Sequence, residues 1–172
     1  KHGDFLARYA DVFNTVEGNT TFYALPTPES VARWRHSVPD TFRFCFKFPK
    51  KVTHEKLLVD AGEYVDGFFE RLGPVGERLG PMLLQLPPRF GPKQLPRLVV
   101  VLRGLPREHR YAWALRNAAF FKGGQEQAEA RAALGELGVD TVIMDTRGLH
   151  AGTDPAYAEV REQKPNLPVV PI

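Results

Sequence analysis

Residues 42–48 read Phe42-Arg43-Phe44-Cys45-Phe46-Lys47-Phe48. In an extended chain alternate side chains point to opposite faces, so four phenylalanines share one face and Arg43, Cys45 and Lys47 the other. The pattern predicts a β-strand. Its apolar face needs a cover, and its other face carries two cations and a thiol. Just upstream, Val16-Glu17-Gly18-Asn19-Thr20-Thr21-Phe22-Tyr23 reads as a second strand, with Val16, Gly18, Thr20 and Phe22 on one face and Glu17, Asn19, Thr21 and Tyr23 on the other.

The segments around these two set the architecture. Phe5, Leu6, Tyr9, Ala10 and Phe13 have helical spacing. Thr27-Pro28-Glu29-Ser30 opens a helix, with Thr27 as cap, Pro28 in the first turn, and Val31, Trp34 and Val38 along one side. Downstream, helices are expected from Glu63 to Arg78, Leu95 to Leu105 and Glu126 to Leu137. Strands are expected at Pro81 to Pro88, where the run is apolar on both faces, at Arg110 to Arg116, and at Val139 to Asp145. Helix and strand thus alternate through five strands with short connections, which specifies a parallel sheet flanked by helices. No linker, repeat or low-complexity tract interrupts residues 1–172, so a single domain is expected.

A doubly wound open sheet and a closed (β/α)8 barrel both satisfy that order. No glycine-rich phosphate loop follows the first strand, which disfavours the dinucleotide-binding version of the open sheet. The barrel explains polar residues within strands, because one strand face meets the helices and the other points inward, with chemistry at the carboxyl ends.

Composition narrows the function classes. The 172 residues are 43% apolar and 11% aromatic, enough for a core. The 23 basic and 20 acidic residues leave +3, spread along the chain rather than blocked, which is weak support for a polyanion partner. One cysteine, Cys45, excludes an internal disulfide and a multi-cysteine zinc site, as suits a cytoplasmic protein. No apolar run reaches the roughly 18 to 20 residues of a membrane span.

The segments RYADVFNTVEGNTTFY, PTPESVARW, FRFCFKFPKKVTH, LGPMLLQLPPRF, RYAWALRN with AFF after it, and VDTVIMDTRGLH resemble, in content and order, the YecE-like proteins, domain-of-unknown-function family 72. The resemblance implies a TIM barrel of which this chain holds about strands two to six of eight, lacking the first strand and the last two. It also brings out a departure. Where the family pattern in the fifth strand resembles Ala-Val-Glu-Val-Arg-His, this chain has Ala112-Trp113-Ala114-Leu115-Arg116-Asn117, so Ala114 stands for the carboxylate and Asn117 for the histidine while Arg116 is kept.

Candidate chemistry follows from strand ends. Glu17 within a parallel strand is a general base, ligand or clamp, or one half of an ion pair with Lys47 or Arg116. Lys47, Gln85, Arg116 and Asp145 each end or nearly end a strand, and with Glu17 and Asn19 are expected to ring one barrel mouth. His54 and His150 lie in loops after strands, where acid–base work is done, and Arg147 follows Asp145 in Asp145-Thr146-Arg147-Gly148-Leu149-His150. The expected catalytic set is Glu17, Lys47, Asp145 and His150, with Asn19, Tyr23, Gln85, Arg116, Arg147 and His54 on the substrate. A magnesium or manganese site from Glu17, Asp145 and His150 ranks below a metal-free site, since the spacing has no signature. No cofactor is indicated. The leading expectation is an enzyme, of hydrolase, lyase or isomerase type, acting on a small anionic or polar metabolite. The alternative is a nuclease or nucleic-acid binder using basic residues around the same mouth, which a continuous basic stripe running outward over Arg89, Lys93, Arg97 and Arg103 would favour.

Overall fold

The computed structural model describes residues 5–167. It is a mixed α/β fold, about half helical, with parallel strand pairing, and the described residues form no closed barrel. The chain forms two compact units. The first comprises Lys1–Leu84 with Pro106–Tyr111, and the second Gln85–Leu105 with Ala112–Ile172.

In the first unit, α1 (Phe5–Ala10) leads into β1 (Thr15–Gly18), which pairs in parallel with β2 (Arg43–Phe46) in the register Thr15↔Arg43 to Gly18↔Phe46. Between them lies α3 (Pro28–His36), whose start is as expected: Thr27 Oγ1 accepts the Ser30 N–H at 3.3 Å, and Pro28 occupies the first turn. Phe42, Phe44, Phe46 and Phe48 are all buried. Trp34 of α3 stacks 5.5 Å from Phe46, and Phe48 stacks 4.8 Å from Phe68 of α4 (Gly62–Leu72). The alternation in residues 42–48 therefore translates directly into a helix-facing aromatic layer, with Cys45 and Lys47 half-buried on the other face and Arg43 exposed. β2 continues into the segment of β3 (Met82–Gln85) through the Gly80 N–H bond to Phe44 O (2.8 Å) and the Phe48 N–H bond to Leu83 O (3.0 Å). Met82, Leu83 and Leu84 are buried, as a strand covered on both faces requires.

Two expected elements are shorter than their patterns. The strand read through Tyr23 ends at Gly18, and residues Thr20–Tyr23 form a single helical turn, α2. The cause is Thr21: its fully buried hydroxyl lies 2.7 Å from Lys47 O and 3.2 Å from Gly18 O, so the side chain ties down both strand ends and the backbone curls. Asn19 and Tyr23 consequently do not share a strand face with Glu17. The helix expected to Arg78 stays regular only to Leu72, then tightens into a 3₁₀ stretch, Gly73–Arg78, begun by Gly73-Pro74 and broken at Gly76 (φ 64°).

In the second unit, β4 (Tyr111–Ala114), which begins in the first unit, pairs in parallel with β5 (Asp140–Thr141) through Ala112↔Asp140 and Trp113↔Thr141. The Leu86 N–H bonds Ala114 O at 3.0 Å. Helices α5 (Leu95–Gly104) and α6 (Gln125–Leu137) bury Leu95, Leu98, Leu102, Ala130 and Leu134, and Trp113 and Phe120 are buried as well. α6 ends on Gly138 in the left-handed conformation (φ 63°), which only glycine adopts without strain. The strand expected to reach Asp145 stops early, with one more bond from the Val142 N–H to Trp113 O. Asp145 lies in the turn before α7 (Arg147–Ala151), where its carboxylate accepts the Arg147 N–H at 3.0 Å and bends the chain out of the extended form. The last helix is α8 (Ala158–Gln163). Among the described residues no helix is long and apolar enough to cross a membrane.

Candidate functional site

In the first unit the strand register decides which polar groups meet. Glu17 lies opposite Cys45, so Lys47 is its diagonal neighbour on the same face, within reach of two long side chains. Lys47 Nζ stands 2.8 Å from Glu17 Oε1. The lysine side chain is only 15% exposed, whereas that of the glutamate is 48% exposed. An ammonium mostly withdrawn from water is thus held by a carboxylate that water, or a ligand, can still reach. Cys45 Sγ, on the same face, is 3.7 Å from Thr15 Oγ1.

The segments leaving β1 and β2 supply the next groups. Asn19 is exposed at the start of α2, and Tyr23, at its end, is 79% exposed with its ring edge against Phe22. Beyond β2, Lys51–Glu55 form a single π-helical turn, a rare conformation that is enriched at functional sites. His54 lies in that turn, perpendicular to the Phe22 ring at 5.0 Å, with Nδ1 2.9 Å from Thr53 Oγ1. Leu57, Leu58 and Asp60 follow with φ of 49°, 68° and 45°. Each such non-glycine residue stores roughly 1–3 kcal/mol, and such strain concentrates at binding and switch segments.

α2, the π turn and α4 enclose a groove of about 420 Å³ whose lining includes Phe22, Tyr23, Lys50, Lys51 and Tyr64. Lys50, Lys51 and Tyr64 were not foreseen as site residues. The adjacent lysines after Pro49 were the available signal, but only the π turn brings them beside α2.

In the second unit, Gln85 ends β3 half-buried, and Arg116 lies two residues beyond β4, where burial lowers its guanidinium pKa. Asp145 is taken up by Arg147: Nε and Nη2 donate to Oδ1 and Oδ2 at 2.9 and 2.7 Å. These hydrogen bonds hold the Asp145 carboxyl at about 2, below its ordinary 3.8. A depressed folded-state value means the stabilisation is full above the ordinary pKa and is lost as pH falls from about 4 towards 2. Carbon-detected NMR titration should find Asp145 ionised down to about pH 2 in the parent, and near its ordinary value in Arg147→Ala. His150 lies in α7 and donates from Nε2 to Lys164 O at 2.8 Å. The Asp145–Arg147 and His150 contacts are therefore local to this turn and its neighbour. Among the described residues no group of three or more His, Cys, Asp or Glu side chains is placed to hold a metal ion.

Comparison with known proteins agrees with this fold. The chain is 43% identical over 166 residues to the UPF0759 protein YecE of Escherichia coli K12, and equally so to that of Escherichia coli O157:H7. That match covers 95% of this chain and 61% of the relative, so the chain spans about three fifths of the curated proteins it matches. Among solved structures, a DUF72 family protein from Enterococcus faecalis V583 superposes with a TM-score of 0.71 at 26% identity, over 81% of this chain and 58% of that one. A DUF72 family protein from Thermotoga maritima MSB8 gives 0.69 at 28% identity, over 84% and 56%. The family model described as "Protein of unknown function DUF72" matches residues 1–170, and the chain belongs to that family.

Proposed function

We propose that the parallel strands are consecutive staves of a (β/α)8 barrel, and that the complete protein is an enzyme acting on a small anionic or polar metabolite at the carboxyl ends of those strands. One observation carries the reading. The Glu17–Lys47 pair, at 2.8 Å, sits at the carboxyl ends of two adjacent parallel strands, on the face turned away from the aromatic layer. An incoming anion takes the place of the carboxylate on Lys47, and Glu17, released beside it, accepts or returns the substrate's proton. Proton transfer between Glu17 and a bound substrate suits hydrolysis, elimination or isomerisation. Gln85 and Arg116 occupy strand-end positions in the second unit, where barrel enzymes place substrate contacts. Asp145 is left out, because Arg147 already neutralises it.

The test is a thermal-shift screen of the intact protein against small carboxylates and phosphates, followed by Glu17→Gln and Lys47→Met. Glu17→Gln should keep ligand binding and lower turnover by about 10²- to 10⁴-fold, while Lys47→Met should lose binding. Because Glu17 is half-exposed, water can solvate Lys47 in the Gln variant, and the melt should shift little. A Gln variant destabilised by roughly 3–5 kcal/mol would mark the pair as structural and end the catalytic reading.

A further inference from the structure

The groove between α2, the π turn and α4 is lined by chemistry that the Glu17–Lys47 pair does not use. Neither member of that pair lines it. Its volume, about 420 Å³, falls within the range of small-molecule sites. Part of the lining is aromatic: Phe22, Tyr23 and Tyr64, with Tyr23 79% exposed. The same lining carries Lys50 and Lys51 against the carboxylate of Glu55, which Lys51 binds at 3.0 Å. Lys51 and Lys56 lie 6.0 and 5.5 Å from the Tyr64 ring centre, so attraction of ammonium groups to the ring keeps positive charge beside the aromatic lining.

The backbone is an independent observation. A π turn at Lys51–Glu55 and three left-handed non-glycine residues at Leu57, Leu58 and Asp60 fall in one stretch of ten residues that begins directly after Lys50 and supplies Lys51 and Glu55 to the groove. Regular helix would rotate Lys50 and Lys51 relative to α2. The unfavourable conformation persists because the surrounding packing holds it: Val52 and Leu58 are buried, and the Leu58 N–H bonds Val52 O at 3.0 Å.

The geometry points to a binding site for a planar aromatic anion, a ring carrying a phosphate or carboxylate of the kind found in a nucleoside monophosphate. The ring stacks on Tyr23, and the anionic group lies between Lys50 and Lys51. Stacking on a tyrosine tolerates any flat ring, and an ammonium pair tolerates either anion. The inference stands apart from the catalytic reading, and its test reads binding alone.

Adenosine 5′-monophosphate, adenosine and inorganic phosphate are titrated separately into the intact protein by calorimetry. Tyr23→Ala, Tyr23→Phe, the double variant Lys50→Ala/Lys51→Ala and, as a charge control, Lys93→Ala are titrated alongside. All four sites are exposed, so the variants should fold. The monophosphate should bind at least about tenfold more tightly than adenosine or phosphate alone, and Tyr23→Ala and the double lysine variant should each weaken it by about tenfold or more. Tyr23→Phe and Lys93→Ala should bind like the parent. The assignment is overturned if the monophosphate does not bind, if inorganic phosphate matches it, if Tyr23→Ala leaves binding unchanged, or if Lys93→Ala weakens it as much as the lysine pair does.

Discussion

Trp113→Ala should destabilise the protein by about 3–5 kcal/mol, a large part of the roughly 5–15 kcal/mol that holds a domain of this size folded. Trp113 is fully buried in the middle of β4, its ring 6.4 Å from Phe120. Its Nε1–H donates to Thr141 Oγ1 at 3.1 Å, which ties β4 to β5 by side chains as well as backbone. Alanine removes the indole, leaves a cavity beside Phe120 and takes away the hydrogen bond. Thr141 is only half-buried, so its hydroxyl can turn to water and the polar part of the loss is small. Trp113→Phe, which keeps most of the volume, should therefore recover more than half of the difference. Urea unfolding followed by circular dichroism would show a lower midpoint at unchanged slope for the alanine variant. A midpoint equivalent to a loss of less than about 1 kcal/mol would mean that β4 is not packed as described.

Much of this fold is legible in one chain because its strongest elements announce themselves twice. Residues 42–48 have both the period of a strand and the volume of a core, and an extended chain buries the four phenylalanines on one face while placing Arg43 and Lys47 on the other. Thr27-Pro28-Glu29-Ser30 joins cap, proline and first-turn acid in one place. The Glu17–Lys47 contact is legible for a related reason: once both strands are parallel, register puts opposite charges on one face. Family membership was likewise readable from the order of the segments. What stayed hidden depends on tertiary partners. Thr21 reads as a good strand residue, and only the carbonyl of Lys47, far along the chain, shows why it ends β1 instead. Asp145 reads as a strand-end acid until Arg147, two residues on, closes the turn around it. The π turn has no periodicity of its own, so the groove it helps to line could not be anticipated from Lys50 and Lys51.

The approach of β1 to β2 offers the second large effect. Gly18 pairs with Phe46, and a Cβ at Gly18 would lie 2.6 Å from Cδ1 and 2.7 Å from Cε1 of that ring. Its backbone is not left-handed, so the requirement for glycine here is purely the space the ring occupies. The ring cannot move freely: Phe46 is 1% exposed, stacked 5.6 Å from Phe44 and 5.5 Å from Trp34. Gly18→Val should therefore cost about 1–3 kcal/mol by overpacking. Phe46→Ala should cost about 3–5 kcal/mol by leaving a cavity in the same place. The two defects are opposite in sign of volume and share one site. The double variant should consequently be more stable than the sum of the single losses implies, by about 1–2 kcal/mol, because valine enters the space the ring vacates. Chemical denaturation of the four proteins closes the cycle. Losses that add to within about 0.5 kcal/mol would show that residue 18 and the Phe46 ring do not compete for one volume, and the register of β1 on β2 would then have to be redrawn.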